Sequence, residues 1–164
     1  MGREIRRVPA DWSHPMNGKH HAPLRDGFNA ALAAWEDARA KHPDCPKAKE
    51  YSFEEWYGSR PLADDYMPDW PAEQRTHYQM YENTSEGTPI SPVFASPEEV
   101  ARWCADNGAS AFAHETASYE SWLRIASGGW APSMAVVDGE VQSGVEHMRF
   151  VPVDGPSVSG GKSE

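Results

Sequence analysis

Residues 77–108 constrain the fold more than any other part of this chain, because a strand pattern, a turn-rich loop and a helix start follow one another there. Residues 77–81 alternate in a way that is typical of a half-buried strand. Tyr78 and Met80 then lie on one face of that strand, and Tyr81 lies on the other with its polar neighbours. The stretch therefore predicts a strand that is joined to a helix by a loop.

The helix in this stretch has clear start and stop signals. Ser96 suits the N-cap, Pro97 the first helical position, and Glu99 completes a capping box. The apolar positions that follow share one face: Val100, Trp103 and Cys104. Asn107 and Gly108 are typical of a helix end. We therefore predict a helix that begins at Pro97, with Cys104 as a core residue.

The loop at residues 82–89 is rich in short polar side chains and contains a glycine. Loops that follow strands often contact ligands, so residues 82–88 are a candidate pocket. The alternative interpretation is a rigid structural loop that Pro89 and Pro92 hold extended. The proline-rich loop at 60–71 carries large aromatic side chains, which either lie over the core as a flap or face a partner. Because the second alternative would make them binding residues, they are also candidates. The candidate binding residues are Tyr66, Trp70, His77, Tyr81, Glu82, Thr84, Glu86 and Thr88.

Three further helices are predicted from apolar periodicity and capping signals. They cover residues 26–41, with Asp26 as the candidate cap, residues 52–57 behind a second capping box, and a stretch from Ser118 or Thr116 to the glycines at 128–129. The segment at 11–23 is predicted as a loop, and residues 44–46 as a turn.

Two further strand regions are predicted. Residues 3–9 form a short edge strand, because Ile5 and Val8 are their only apolar anchors. Residues 134–141 contain an Asp-Gly pair that is typical of a two-residue β-hairpin turn. We expect this hairpin to join the strand at 77–81 in one antiparallel sheet.

The fold class follows from these elements and from the length. A chain of 164 residues with 14 prolines and 13 glycines suits one domain with short elements and many loops. We predict a single α+β domain at residues 1–153, with a small antiparallel sheet and three to four short helices packed on it. Residues 154–164 are rich in glycine and serine and are predicted to be a disordered tail.

The formal net charge of −10 limits the choice of partners. It argues against direct binding to nucleic acid, which requires neutralisation of phosphates. An acidic surface either docks on a basic partner, such as a nucleic-acid-binding protein, or only keeps the chain soluble. No apolar run suits a membrane span, and the N-terminus lacks the apolar stretch of a signal peptide, so we expect a cytoplasmic protein.

No motif in the sequence indicates catalysis, a metal or a cofactor. Four possible metal ligands lie near the N-terminus without a recognisable spacing: Asp11, His14, His20 and His21. The chain contains no nucleophile elbow, and the glycines near its end are out of register for a phosphate-binding loop. We expect a binding protein rather than an enzyme, with no cofactor.

The opening Gly-Arg-Glu-Ile-Arg-Arg-Val-Pro at residues 2–9, with residues 11–12 and 14–15, resembles the start that many small proteins encoded by tailed phages and prophages share. A recurring core within one such group is similar to residues 66–68, 76–82, 85–92, the helix to Gly108, 117–122 and 129–133. Residues 20–51 and the tail lie outside the resemblance. The resemblance implies expression in the cytoplasm of an infected bacterium and carries no mechanism with it.

Three functions remain open at this point. The first is a phage-encoded accessory protein with an acidic docking surface, which binds and modulates a host or anti-phage defence component in the manner of an inhibitor. The second is a small enzyme or a binder of a nucleotide-like ligand at the 82–88 loop. The third is a minor virion or assembly component. The sequence leaves the oligomeric state open.

Overall fold

The computed structural model describes residues 2–42, 51–83, 87–137 and 139–147. In this part of the chain the strands are β1 (Gly2–Val8), β2 (Met16–Asn17), β3 (His20–His21), β4 (His77–Glu82), β5 (Thr88–Pro89), β6 (Trp130–Pro132), β7 (Met134–Val137) and β8 (Glu140–Ser143). The helices are α1 (Arg25–Lys41), α2 (Phe53–Tyr57), α3 (Pro97–Asp106), α4 (Tyr119–Gly128) and α5 (Gly144–His147), with a 3-10 turn at Ala63–Asp65. The predicted α+β class is confirmed.

The main sheet is antiparallel and has the strand order β5-β4-β1-β6. β1 is therefore an internal strand, and the prediction of an edge strand at residues 3–9 is wrong. That prediction counted only apolar anchors, but the arginines of β1 also find partners inside the fold. Arg3 is 4% exposed. Its Nε donates to the Ser110 carbonyl at 2.8 Å, and its Nη1 donates to Ser133 Oγ at 3.1 Å.

The predicted hairpin exists as β7 and β8, but it forms a separate two-stranded sheet. The expectation that it pairs with residues 77–81 is wrong, because β1 and β5 occupy both sides of β4. β6 extends the main sheet instead, opposite residues 2–4 of β1. β6 ends at Pro132, and the chain leaves the main sheet before β7 begins.

One face of the main sheet packs against α3 and α4. The buried side chains of this core include Met80, Val100, Cys104, Trp122 and Ile125. The predicted capping box of α3 is confirmed, since Ser96 and Glu99 bond reciprocally. Burial raises the pKa of the Cys104 thiol to about 12, which is consistent with its predicted role in packing.

The other helix predictions are confirmed except for one cap. Ser52 forms the capping box of α2, and Ser118 caps α4. Asp26 does not cap α1, because the helix begins one residue earlier and Leu24 occupies the N-cap without a side-chain bond. Asp26 instead lies in the first turn and pairs with Arg6.

The second face of the main sheet carries a smaller core. Its buried members are Val8, Leu24, Met67 and Tyr81, with Trp12, Trp70 and Val93 packed against them. The loop at 60–71 supplies Met67, which is 3% exposed, so its predicted role as a flap is confirmed. The alternation of β4 is also confirmed, but both of its faces are covered, so the strand is not half-buried.

Some predictions fall outside or at the margin of the described residues. The turn at 44–46 and the tail at 154–164 lie outside them, as do Thr84 and Glu86. The predicted loop at 11–23 contains the short β2–β3 hairpin. No helix in the described ranges is long and apolar enough to cross a membrane.

Candidate functional site

Tyr81 lies inside the fold rather than in an open groove. Its side chain is fully buried, and its hydroxyl oxygen accepts a hydrogen bond from Trp12 Nε1 at 3.0 Å. The hydroxyl donates to Gln79 Oε1 at 2.5 Å, and the amide of Gln79 donates in turn to the Ser91 carbonyl at 2.8 Å. Burial raises the pKa of Tyr81 to about 12, so its hydroxyl stays protonated at neutral pH.

His14 completes this buried network. Its Nε2 lies 2.7 Å from the Ala22 carbonyl, which can only accept, so Nε2 carries the hydrogen. Its Nδ1 lies 3.2 Å from the Tyr81 hydroxyl. No group of three or more metal-ligand side chains occurs within the described ranges, and His14 contributes here to packing and hydrogen bonding.

The remaining candidates around β4 are dispersed. His77 bonds Thr76 Oγ1 at 2.9 Å, and Glu82 lies 3.8 Å from Arg3. Thr88 lies opposite Glu82 in the sheet. The two clefts described below contain neither His77 nor Glu82, and a ligand at the 82–88 loop stays a prediction.

An exposed acidic loop is the first surface feature of interest. We use this name for residues 63–73, which carry four exposed carboxylates: Asp64, Asp65, Asp69 and Glu73. None of the four forms an ion pair with a described residue. Two acids of α1 differ in this respect, since Glu36 pairs with Arg60 and Asp37 pairs with Lys41. The acidic loop is therefore a local concentration of uncompensated negative charge.

The acidic loop is held firmly against the body of the protein. The Met67 N–H donates to the Pro23 carbonyl at 2.8 Å, and its side chain is buried. The candidate Tyr66 packs edge-on against Phe28 with a ring-centroid distance of 5.3 Å, and Trp70 packs against Trp12 at 4.6 Å. Tyr66 and Trp70 therefore anchor the loop, and the carboxylates between and beside them point to solvent.

A cleft of about 680 Å³ separates the loop from the edge of β1. We call it the β1-edge cleft, and its lining includes Arg6, Arg7, Arg25, Asp69, Trp70 and Arg75. Arg6 is occupied, because it pairs with both Glu4 and Asp26. The sequence did not mark Arg7, Arg25 or Arg75, since no motif connects positions so far apart in the chain.

A second, more apolar cleft of about 510 Å³ lies beside the Tyr81 network. Its lining includes Trp12, His14, Gln79, Pro92 and Trp103. The polar side chains at its floor, His14 and Gln79, already have partners in the network. This cleft offers aromatic and prolyl surface rather than free polar groups.

Comparison of the chain with protein-family models, with curated proteins and with solved structures finds no match.

The buried position of His14 predicts a pH-dependent stability. Burial lowers the pKa of His14 below its ordinary value, and nearby His21 lowers it further. The hydrogen bond to Ala22 acts in the opposite direction but is the smaller effect. The unfolded chain therefore takes up a proton first as the pH falls, so this contribution to folding is complete above about pH 6.5 and is lost below it. We expect the free energy of unfolding, measured with urea, to be lower at pH 5.5 than at pH 7.5.

The control for this prediction is the variant His14→Gln, which keeps a donor for Ala22 and cannot titrate. Its free energy of unfolding should change less between the two pH values than that of the wild-type chain. An equal change in both proteins would assign the pH dependence to other groups.

Proposed function

We propose that this protein is a non-enzymatic accessory protein that docks on a basic partner protein through its acidic loop. The observation that carries the proposal is the row of four exposed carboxylates at residues 63–73, none of them paired with a described cation. Unpaired carboxylates on one exposed segment attract a basic surface and increase the rate of encounter.

The rigidity of the loop supports the same function. Met67 and Trp70 are anchored in the second core, so the backbone between the carboxylates loses little freedom when a partner binds. A preorganised surface avoids much of the ordering cost that a flexible loop would add. The loop thus presents its charge in one arrangement, which favours a specific partner over general attraction to cations.

The identity of the partner class comes from the resemblance to phage-encoded proteins. It directs the search to host or anti-phage defence proteins in an infected bacterium, and the charge selects basic ones among them, including proteins that bind nucleic acid. The proposed effect is that of an inhibitor, because an acidic surface on such a partner competes with nucleic acid for the same cations.

The test compares two charge-reversed variants that differ only in the surface altered. The first carries Asp64→Lys, Asp65→Lys and Glu73→Lys in the acidic loop. The second carries Asp106→Lys, Glu115→Lys and Glu140→Lys, which are exposed, outside the loop and equal in total charge change. Each protein is used as bait in lysate of a bacterial host, and captured proteins are identified by mass spectrometry.

We expect one basic protein to bind the wild-type chain and the second variant, and to be lost from the first. Its binding should also weaken as salt is raised, since screening acts on exposed charges. Capture that survives in the loop variant, or that fails equally in both variants, would contradict docking through the acidic loop.

A further inference from the structure

The outer edge of β1 is paired over only part of its length. β6 lies opposite residues 2–4 of β1, and the Ile5 N–H donates to the Gly129 carbonyl at 2.9 Å. α4 ends at Gly128, and among the described strands none runs alongside β1 beyond this point. The second half of β1 therefore has a β4 neighbour on one side only.

Backbone groups on this open half point into solvent-accessible space. N–H and C=O groups alternate between the two edges of a strand, so the Arg7 N–H and C=O point the same way as the Ile5 N–H. The Gly129 N–H donates to Ile125 and not to Ile5. The Ile5 carbonyl and both Arg7 groups consequently have no hydrogen-bond partner within the described part of the chain.

These groups border the β1-edge cleft, whose lining includes residues 4–7 of β1. The cleft has a volume of about 680 Å³ and lies against this edge, where an added strand would lie about 4.8 Å from β1. Charged side chains such as those of Arg6 and Arg7 guard an edge against aggregation. The lining also includes Trp70 and Arg75.

The charges in the cleft indicate which segment suits it. Arg25 and Arg75 line it and form no ion pair with any described carboxylate. The carboxylate of Asp69 also lines the cleft, and it likewise forms no ion pair with a described cation. Arginine recognises carboxylates through paired N–H groups, so an incoming acidic side chain would be bound there.

We propose that the β1-edge cleft binds an extended, acidic peptide segment of a partner protein, which adds as a strand beside residues 5–7 of β1. The backbone of the peptide pairs with the Ile5 carbonyl and the Arg7 groups, and an acidic side chain contacts Arg25 and Arg75. Strand addition of this kind takes affinity from main-chain bonds and specificity from side-chain contacts. Residues 67–70 and 72 of the acidic loop line one part of this cleft, but the proposed backbone pairing with β1 does not rest on docking through the exposed carboxylates.

The test uses a synthetic, end-capped peptide of about eight residues, an ordinary strand length, in which valine and threonine alternate around two glutamates. Binding of the fluorescein-labelled peptide to the full chain is followed by fluorescence anisotropy. A second peptide has the same sequence with N-methyl groups on alternate amides, so that it cannot complete a ladder. We expect saturable binding of the unmodified peptide. The N-methylated peptide should bind at least about tenfold more weakly, because it loses main-chain hydrogen bonds to β1.

Two variants at one position separate the backbone from the charge. Arg7→Pro removes the N–H at the open edge, while Arg7→Gln keeps that N–H and removes the guanidinium. Neither variant removes a hydrogen bond between β1 and β4. The Asn83 N–H donates to the Gly2 carbonyl, so the backbone groups of the even-numbered residues of β1 point towards β4, and those of Arg7 point away from it. We expect about tenfold weaker binding by Arg7→Pro and a change of less than about threefold by Arg7→Gln.

Equal binding of the two peptides to the wild-type chain would overturn the proposal, and this comparison requires no variant to fold. Absence of binding by the first peptide would also overturn it. Because these measurements use a synthetic peptide in place of lysate and alter no carboxylate of the acidic loop, their failure is distinguishable from failure of the docking proposal.

Discussion

Replacement of Trp122 by alanine is expected to lower the free energy of unfolding by about 4 kcal/mol, the middle of the range for a buried aromatic side chain. Trp122 is 0% exposed and belongs to the core between the main sheet and the helices α3 and α4. A domain of this size is stable by only about 5–15 kcal/mol, so the variant should be close to unfolding at room temperature. Urea unfolding followed by far-ultraviolet circular dichroism measures the change.

Two further variants make this expectation specific. The buried Trp122 Nε1–H has no hydrogen-bond partner among the described residues, so Trp122→Phe removes a donor that is unpaired there as well as some volume. We expect it to cost only about 1–2 kcal/mol, because part of the packing loss is offset by relief of that desolvated donor. Trp130→Ala, at a side chain that is 44% exposed, should cost less than about 1 kcal/mol. Similar losses for Trp122→Phe and Trp122→Ala would contradict this account.

The elements that could be predicted from the sequence are those with short-range causes. The start of α3 depends on bonds between Ser96 and Glu99, three residues apart, and the same holds for α2. The β7–β8 hairpin likewise needs only a turn whose Gly139 adopts a φ of 85°. A few neighbouring residues determine such features, so a single sequence is enough to predict them.

The order of strands could not be predicted in the same way. Whether β1 lies at an edge or inside the sheet depends on β6, which is distant in the sequence and only three residues long. Burial of Arg3 depends on acceptors at Ser110 and Ser133, which no local pattern reveals. The scarcity of apolar anchors in β1 therefore predicted an edge strand, although the partners of Arg3 allow an internal position.

The two surfaces in the proposals were anticipated to different degrees. The net charge indicated an acidic docking surface, and the proline-rich segment indicated a flap. That residues 63–73 combine both properties is seen only in the structure, where Met67 and Trp70 pack into the second core. The β1-edge cleft was not anticipated at all. It arises because β6 begins only at Trp130, opposite Glu4 of β1, and because the folded chain brings Arg25 and Arg75 to the same opening.

Replacement of Tyr81 by phenylalanine is expected to lower the free energy of unfolding by about 3 kcal/mol, although only one oxygen is removed. The Tyr81 hydroxyl accepts from Trp12 Nε1 and donates to Gln79 Oε1, so its loss leaves a donor and an acceptor unpaired. Each buried polar group left without a partner costs about 1–3 kcal/mol, more than the net value of an ordinary hydrogen bond.

The matched control is Tyr57→Phe, at a tyrosine that is 44% exposed and whose hydroxyl makes a single long contact of 3.5 Å. It should change the free energy of unfolding by no more than about 0.5 kcal/mol. Combining Tyr81→Phe with Trp12→Phe removes donor and acceptor together, so the double variant should be more stable than the sum of the single losses implies, by about 1–2 kcal/mol. Strict additivity would mean that the two side chains do not interact. Because Trp12 also packs against Trp70, which anchors the acidic loop, a coupled network would connect the buried side of β4 to the proposed docking surface.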